Sequence, residues 1–169
     1  QVGKKGYAVL VEGYLDVMAL HEYGVTNALG SMGTALTFEQ IRILKRMSSR
    51  VISLYDADRA GLAATEKNLG NFLREGIESK VVLLPTGKDP DAFLHQEGVP
   101  ADELKSQLKN SFEKSTLAID FLLKNSVLNE KSPMQRAKRL RDLVRILDEI
   151  PDELERNFIK KDLAKRFEL

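Results

Sequence analysis

Cysteine is absent from the 169 residues, and so is tryptophan. The first absence removes disulfides, thiolate nucleophiles and cysteine-held zinc from the chemistry open to this chain. Histidine occurs only as His21 and His95, so a nitrogen-rich metal site is improbable as well. Any metal bound here must sit among oxygen donors, which favours Mg²⁺ or Mn²⁺. No apolar run approaches the roughly 18 residues that would cross a bilayer. The opening Gln1-Val2-Gly3-Lys4-Lys5 lacks the apolar core of a secretory signal. It also lacks a starting Met, which reads as a segment of a longer polypeptide. Neither sign of charge dominates: residues 1–110 carry 13 Lys/Arg against 14 Asp/Glu, and residues 111–169 carry 13 against 11. That is no strong electrostatic footprint of a nucleic-acid binder.

What is present is globular composition, 43% hydrophobic and 30% charged. Tyr7 to Val11, Val51 to Tyr55 and Val81 to Leu84 are continuous apolar runs rich in β-branched residues, with a shorter one at Asn27 to Leu29. Such runs fit strands buried on both faces, as in a parallel sheet. Helical patterns separate them. Asp16 to Tyr23 stops at Gly24, Thr37 to Met47 opens with the capping-box pair Thr37 and Gln40, and Ala60 to Glu75 stops at Gly76. The alternation predicts an α/β fold, a mostly parallel sheet flanked by helices. From about Pro100 the pattern is purely helical. Leu104 and Leu108, Phe112 through Leu123, Leu140 to Leu147, and Leu154, Phe158 and Leu163 recur at helical spacing, with Pro133 and Pro151 at helix starts. The expected division is a sheet-bearing unit over 1–100 and a small helical bundle over 101–169.

Open parallel sheets hold ligands at the carboxyl ends of their strands, and acidic groups fall at three of them. Glu12 follows the first strand, Asp56 and Asp58 the third, Asp89 and Asp91 the fourth. Singly, each has a plain structural reading. Asp58 is a good N-cap for a helix starting near Arg59, Asp89-Pro90 is a common helix start, and Glu12 is a loop charge beside Gly13. Together they crowd like charges on one rim, which is hard to tolerate without a cation. Asp-x-Asp in extended backbone sends both carboxylates to one side. That geometry suits two divalent ions and phosphoryl transfer. A receiver-domain phosphoacceptor also gathers acids at strand ends, but it wants adjacent acids after the first strand, where this chain has Glu12 followed by Gly13.

Four motifs then stand in one order. Glu12-Gly13-Tyr14-Leu15-Asp16-Val17 closely resembles the Toprim signature in the form found in DnaG-type bacterial primases. Ser31-Met32-Gly33-Thr34-Ala35-Leu36-Thr37 resembles that family's Gly-Thr-Ala-Leu-Thr loop, and Asp56-Ala57-Asp58-Arg59-Ala60-Gly61 its Asp-Gly-Asp-Arg-Ala-Gly motif. Lys88-Asp89-Pro90-Asp91 resembles its Asp-Pro-Asp motif, so the likeness covers roughly residues 7–98. The family also follows its Toprim fold with a helical subdomain.

The resemblance implies that Glu12 is the catalytic glutamate and that Asp56 and Asp58 are catalytic metal ligands. Asp89 and Asp91 would contribute to the same Mg²⁺ (or Mn²⁺) region, and Asp16 would orient its neighbours. Gly33 and Thr34 lead into a helix N-terminus, a location that favours phosphate. One departure is Ala57, which stands where the family carries Gly and restricts the backbone to negative φ. The implied activity is synthesis of RNA primers from ribonucleoside triphosphates on a single-stranded DNA template, in the bacterial cytoplasm at the replication fork. Zinc is expected only in a domain outside this chain. The replicative helicase is expected to bind through a C-terminal domain not recognisable in these residues. No membrane partner is expected, and the segment alone is expected to be monomeric and unable to make primers.

The densest basic stretch is Lys138 to Arg145, where Lys138, Arg141 and Arg145 share a helical face. It reads either as a solvated face opposite Leu140 and Val144 or as a contact for DNA backbone or another part of primase. Arg59 either faces substrate phosphate or pairs with a carboxylate nearby. His21 and His95 read as structural or solvent-facing, and Tyr14 and Tyr55 as packing residues. Rival readings are a Toprim module of a topoisomerase or nuclease, and a non-catalytic scaffold whose helical half recruits partners.

Overall fold

In the computed structural model, residues 1–32, 36–54, 59–84 and 88–168 are described. A short helix α1 (Val2–Lys5) leads into β1 (Ala8–Val11), then α2 (Tyr14–Glu22), β2 (Ala28–Gly30), α3 (Phe38–Met47), β3 (Arg50–Leu54), α4 (Arg59–Arg74) and β4 (Glu78–Val82). Next come α5 (Pro90–Leu94), α6 (Ala101–Glu113), β5 (Thr116–Leu117), α7 (Ala118–Leu122), a π-helical segment Leu123–Leu128, α8 (Pro133–Leu147) and α9 (Glu153–Phe167). The sheet order is β2-β1-β3-β4-β5. The first four strands pair in parallel, with Val9 opposite Ala28 and Ile52, and Val51 opposite Ser79. Only β5 is antiparallel, pairing Thr116 with Val81.

Strand β1, between β2 and β3, is buried at every position because its side chains alternate between two covered faces. Val9 and Val11 join Leu54 and Val82 under α2, α5 and α6, where Leu20, Phe93, Leu104 and Leu108 meet them. Ala8, Leu10 and Val51 face the other way, onto Ile41 and Leu44 of α3 and Phe72 of α4. A third core lies beyond β4. Leu69 of α4 and Val81 of β4 pack there with Phe121, Leu122, Leu143, Leu147 and Leu163 of the helical half.

Local signals were reliable guides. Thr37 and Gln40 exchange the reciprocal bonds of a capping box, at 3.3 and 2.8 Å. Gly24 and Gly76 close α2 and α4 at φ of 88° and 63°, where a side chain would be strained. Three expectations differ. The fourth strand lies at Glu78–Val82 and not at 81–84, because it pairs in register with β3 from Arg50 onward. In its polar opening only Ser79 is buried, so Glu78 and Lys80 do not oppose the pairing. The expected helix from Phe112 to Leu123 breaks at Lys114–Ser115 so that Thr116 and Leu117 can cap the open edge of β4. Leu154 and Phe158 share the helical spacing of α9 yet are 82% and 72% exposed, because the buried stripe of that helix runs through Ile159, Leu163 and Phe167.

Candidate active site

Glu12 sits one residue past β1, exposed at the carboxyl rim of the sheet. The turn from Glu12 into α2 is fixed by Asp16, whose side chain is nearly buried. One carboxylate oxygen of Asp16 accepts the Gly13 amide at 2.9 Å, which caps α2 from inside its first turn. A Cβ on Gly13 would come within 3.1 Å of that same oxygen, so close approach of the carboxylate explains glycine directly after Glu12. The other oxygen accepts the Asp91 amide at 3.3 Å. A single buried carboxylate thus ties the loop after β1 to the loop after β4. Burial pushes the Asp16 carboxyl above the ordinary aspartate range; the two amide bonds oppose that rise, and the negative charges of Asp89 and Asp91 add to it.

Asp89 and Asp91 have definite local roles. Asp89 is the N-cap of α5, accepting the Ala92 amide at 2.6 Å with Pro90 in the first helical position, as its plain reading predicts. The Asp91 carboxylate lies 2.9 Å from Nδ1 of His95, whose Nε2 is 3.6 Å from Glu22 on α2. Desolvation pulls the His95 pKa down, but the Asp91 carboxylate and carbonyl and the Glu22 carboxylate outweigh it, so the net direction is upward. His95 is exposed, as the sequence suggested, and also forms a clasp between α2 and α5. His21 reaches the Ala28 carbonyl at 3.2 Å, whereas Tyr14, expected to pack, is 60% exposed at the start of α2.

Asp56 and Asp58, with Ala57 between them, lie outside the described residues, in the stretch between Leu54 and Arg59. Gly33 and Thr34 are likewise outside them, as is the side chain of Arg59, although its backbone opens α4. Among the described residues, no three His, Asp or Glu side chains are grouped to hold a metal. Lys138, Arg141 and Arg145 belong to the helical half. All three are exposed on α8, opposite buried Leu143 and Leu147, and Arg145 reaches Asp142 at 3.5 Å. The clasp through Asp16 and the His95–Glu22 contact bridge residues 75 and 73 apart in the chain, which no local spacing signals.

Comparison with known proteins gives this rim its family. A Toprim-like family model matches residues 9–94, and a model described as the DnaB-helicase binding domain of primase matches residues 118–169. The DNA primase of Clostridium acetobutylicum is 36% identical over 156 residues, covering 90% of this chain and 25% of that protein. That of Escherichia coli K12 is 30% identical over 164 residues, covering 94% of this chain and 27% of that protein. Among solved structures, the zinc-binding and RNA polymerase domains of Aquifex aeolicus primase superpose with a TM-score of 0.78 at 29% identity, covering 99% of this chain and 39% of that one. A DnaG primase catalytic domain bound to single-stranded DNA gives 0.76 at 29% identity, covering 97% and 51%.

The chain belongs to the Toprim-like family, in the form carried by DnaG-type bacterial primases. It spans about a quarter of the length of the curated primases it matches. The expectation that no helicase-binding segment is recognisable here is corrected by the match over 118–169. A helical pattern has no local signature that separates a helicase contact from a bundle core.

Proposed function

We propose that the carboxylate rim is the nucleotidyl-transfer site of a primase, a DNA-directed RNA polymerase that makes short RNA primers on single-stranded DNA. The observation that carries this reading is the Asp16 clasp, which holds the Glu12-Gly13 loop and the Asp89-Pro90-Asp91 loop together. In the proposed step the primer 3′-hydroxyl oxygen bonds to the α-phosphorus of a ribonucleoside triphosphate. The bond from that phosphorus to the bridging oxygen breaks, and pyrophosphate leaves. Glu12 is assigned the hydroxyl proton. Glu12, Asp56 and Asp58, with Asp89 and Asp91 beside them, are assigned one or two Mg²⁺ or Mn²⁺ ions. The all-oxygen donor set fits such hard cations. Bound there, the ions would lower the pKa of the attacking hydroxyl and neutralise charge on the leaving oxygens. Gly33, Thr34 and Arg59 are assigned to nucleotide phosphate.

The sheet-bearing half is read as the catalytic unit. Residues 118–169, matching a helicase-binding model, are assigned a share in the contact with the replicative helicase. The proposed setting is the bacterial replication fork, with the 169 residues alone monomeric and without primer synthesis. Their net charge of +1 offers little grip on a phosphate backbone.

Paramagnetic Mn²⁺ tests the site directly. Titrated into the labelled chain, it should broaden the amides of Gly13, Ala57 and Asp91 first, and Glu12→Gln should weaken the effect. Broadening confined to α8 and α9 would overturn the assignment.

A further inference from the structure

The opposite rim of the sheet carries a different surface. Two adjoining cavities of about 600 and 340 Å³ lie at the amino ends of β1, β3 and β4 and share Tyr7, Lys109 and Phe112 in their walls. The larger is within the range of small-ligand pockets, roughly 300–1,000 Å³. From this groove we propose a second binding site, for a nucleoside phosphate. It does not rest on the carboxylate reading. Tyr7 stands five residues before Glu12, so the sites are about 16 Å apart along extended chain.

The groove has the two parts such a ligand needs. Its apolar part is aromatic: Tyr7 and Phe112 are half-buried against the sheet's core, and Tyr23 is held by its hydroxyl donating to the Leu94 carbonyl at 2.8 Å. Flat rings fixed in this way offer stacking faces, which accept any base. Its polar part is cationic. Lys105 and Lys109 stand one turn apart on the exposed face of α6. Across the groove the Lys5 ammonium donates to the Gly24 carbonyl at 3.1 Å, which uses one of its three N–H groups and leaves two. Arg50 and Lys80 line the smaller cavity. Glu78, Asp102 and Glu113 offset part of this charge and leave an excess of two cations. That excess suits one nucleotide better than a long polyanion, and it makes the affinity weak and salt-sensitive. A purely cationic patch would hold inorganic phosphate equally well, and an apolar pocket would hold a base alone. Having both parts selects the ligand that has both.

The ligand has two possible sources, a free ribonucleotide or one unit of a single strand, and the test separates them. The ¹⁵N-labelled chain is titrated at low salt, with EDTA to keep the carboxylate rim free of metal. ATP, adenosine, inorganic triphosphate and an oligothymidylate are added separately. ATP or the oligonucleotide should move the amides of Lys109, Phe112 and Ser115 while leaving Gly13 and Asp91 in place. Adenosine and triphosphate should each act at least tenfold more weakly. A stronger ATP response identifies the free nucleotide, and a stronger oligonucleotide response identifies the strand. Lys105→Glu with Lys109→Glu, both exposed and so compatible with folding, should weaken the response about tenfold or more. Phe112→Leu keeps the apolar contact and removes the stacking face, so it should weaken ATP several-fold and leave triphosphate unchanged. Equal binding of ATP and triphosphate would overturn the proposal, as would shifts confined to the carboxyl rim or no shift with any of the four. Failure here would leave the Mn²⁺ result, and the reading it tests, untouched.

Discussion

The two halves of the chain use polar groups in opposite ways. In the sheet-bearing half, the nearly buried Asp16 is held by two backbone amides, one from the first acidic motif at Gly13 and one from the last at Asp91. In the helical half the core is apolar and charge stays near the surface. Arg166 forks onto Asp120 at 2.8 and 3.0 Å and reaches Asp162 at 2.7 Å, and Lys160 meets Asp148 at 2.6 Å. The hydrogen bonds to Asp120 hold the Arg166 pKa above its ordinary value, against slight desolvation. The solvent-accessible Lys160–Asp148 pair contributes roughly 0–1 kcal/mol, whereas the Arg166 fork closes on an Asp120 side chain only 13% exposed. One half therefore commits polar burial to the position of its acidic loops, and the other derives its stability from leucine packing. Polar substitutions should damage chemistry in the first half, and apolar truncations should damage stability in the second.

The largest expected effect is on activity. Asp56→Asn, placed in a primase polypeptide of the length of its relatives, should bring primer synthesis to background and leave the melting temperature unchanged. Retained synthesis with a clear fall in melting temperature would make Asp56 a structural residue and break the comparison. Next is Leu143→Ala, which empties a nearly buried position of the helical core and should cost about 2–5 kcal/mol in chemical denaturation. The Gly13 and Asp91 amide shifts should stay where they are; movement there would show that the halves are not separable in this way.

A smaller effect is expected from Asp16→Ala. It leaves two amides without their acceptor while removing a buried charge, so the net loss should be about 1 kcal/mol. Its specific mark is faster hydrogen exchange at both Gly13 and Asp91, and a response at only one would undo the clasp. The smallest effect concerns Lys138, Arg141 and Arg145. Changing all three to Ala should alter stability by no more than about 0.5 kcal/mol. At physiological salt the chain should bind single-stranded DNA poorly with or without them. If all three meet phosphates, the low-salt slope of log affinity against log salt should fall by about 2 in the variant. An unchanged slope returns the face to plain solvation.

What the sequence revealed divides along the same line. Contacts within one turn were legible: the Thr37–Gln40 box, Pro90 after Asp89 and Pro133 after Ser132 each have a local cause, and the structure has each of them. The parallel sheet was legible because a strand covered on both faces has to be apolar throughout. The register of β4 was not, since its opening Glu78-Ser79-Lys80 pairs through backbone alone. The two-residue β5 depends on where α6 delivers the chain, and the buried stripe of α9 depends on which side faces its neighbours. At the site, the acidic motifs were legible as motifs. The hydrogen bond that joins the first to the last spans 75 residues and belongs to the fold.

Helix α4 gives the two halves a common fate. Phe72 belongs to the core under the sheet, whereas Leu69, three residues earlier on the same helix, belongs to the core of the helical bundle with Val81 of β4. A cut between the halves would therefore leave apolar surface bare on each side of the break. The helical half packs on α4 through Leu69, and the first residue of α4 comes directly after the segment that carries Asp56 and Asp58. A rod shared by two cores is a mechanical linkage, and this one begins where the acidic pair ends.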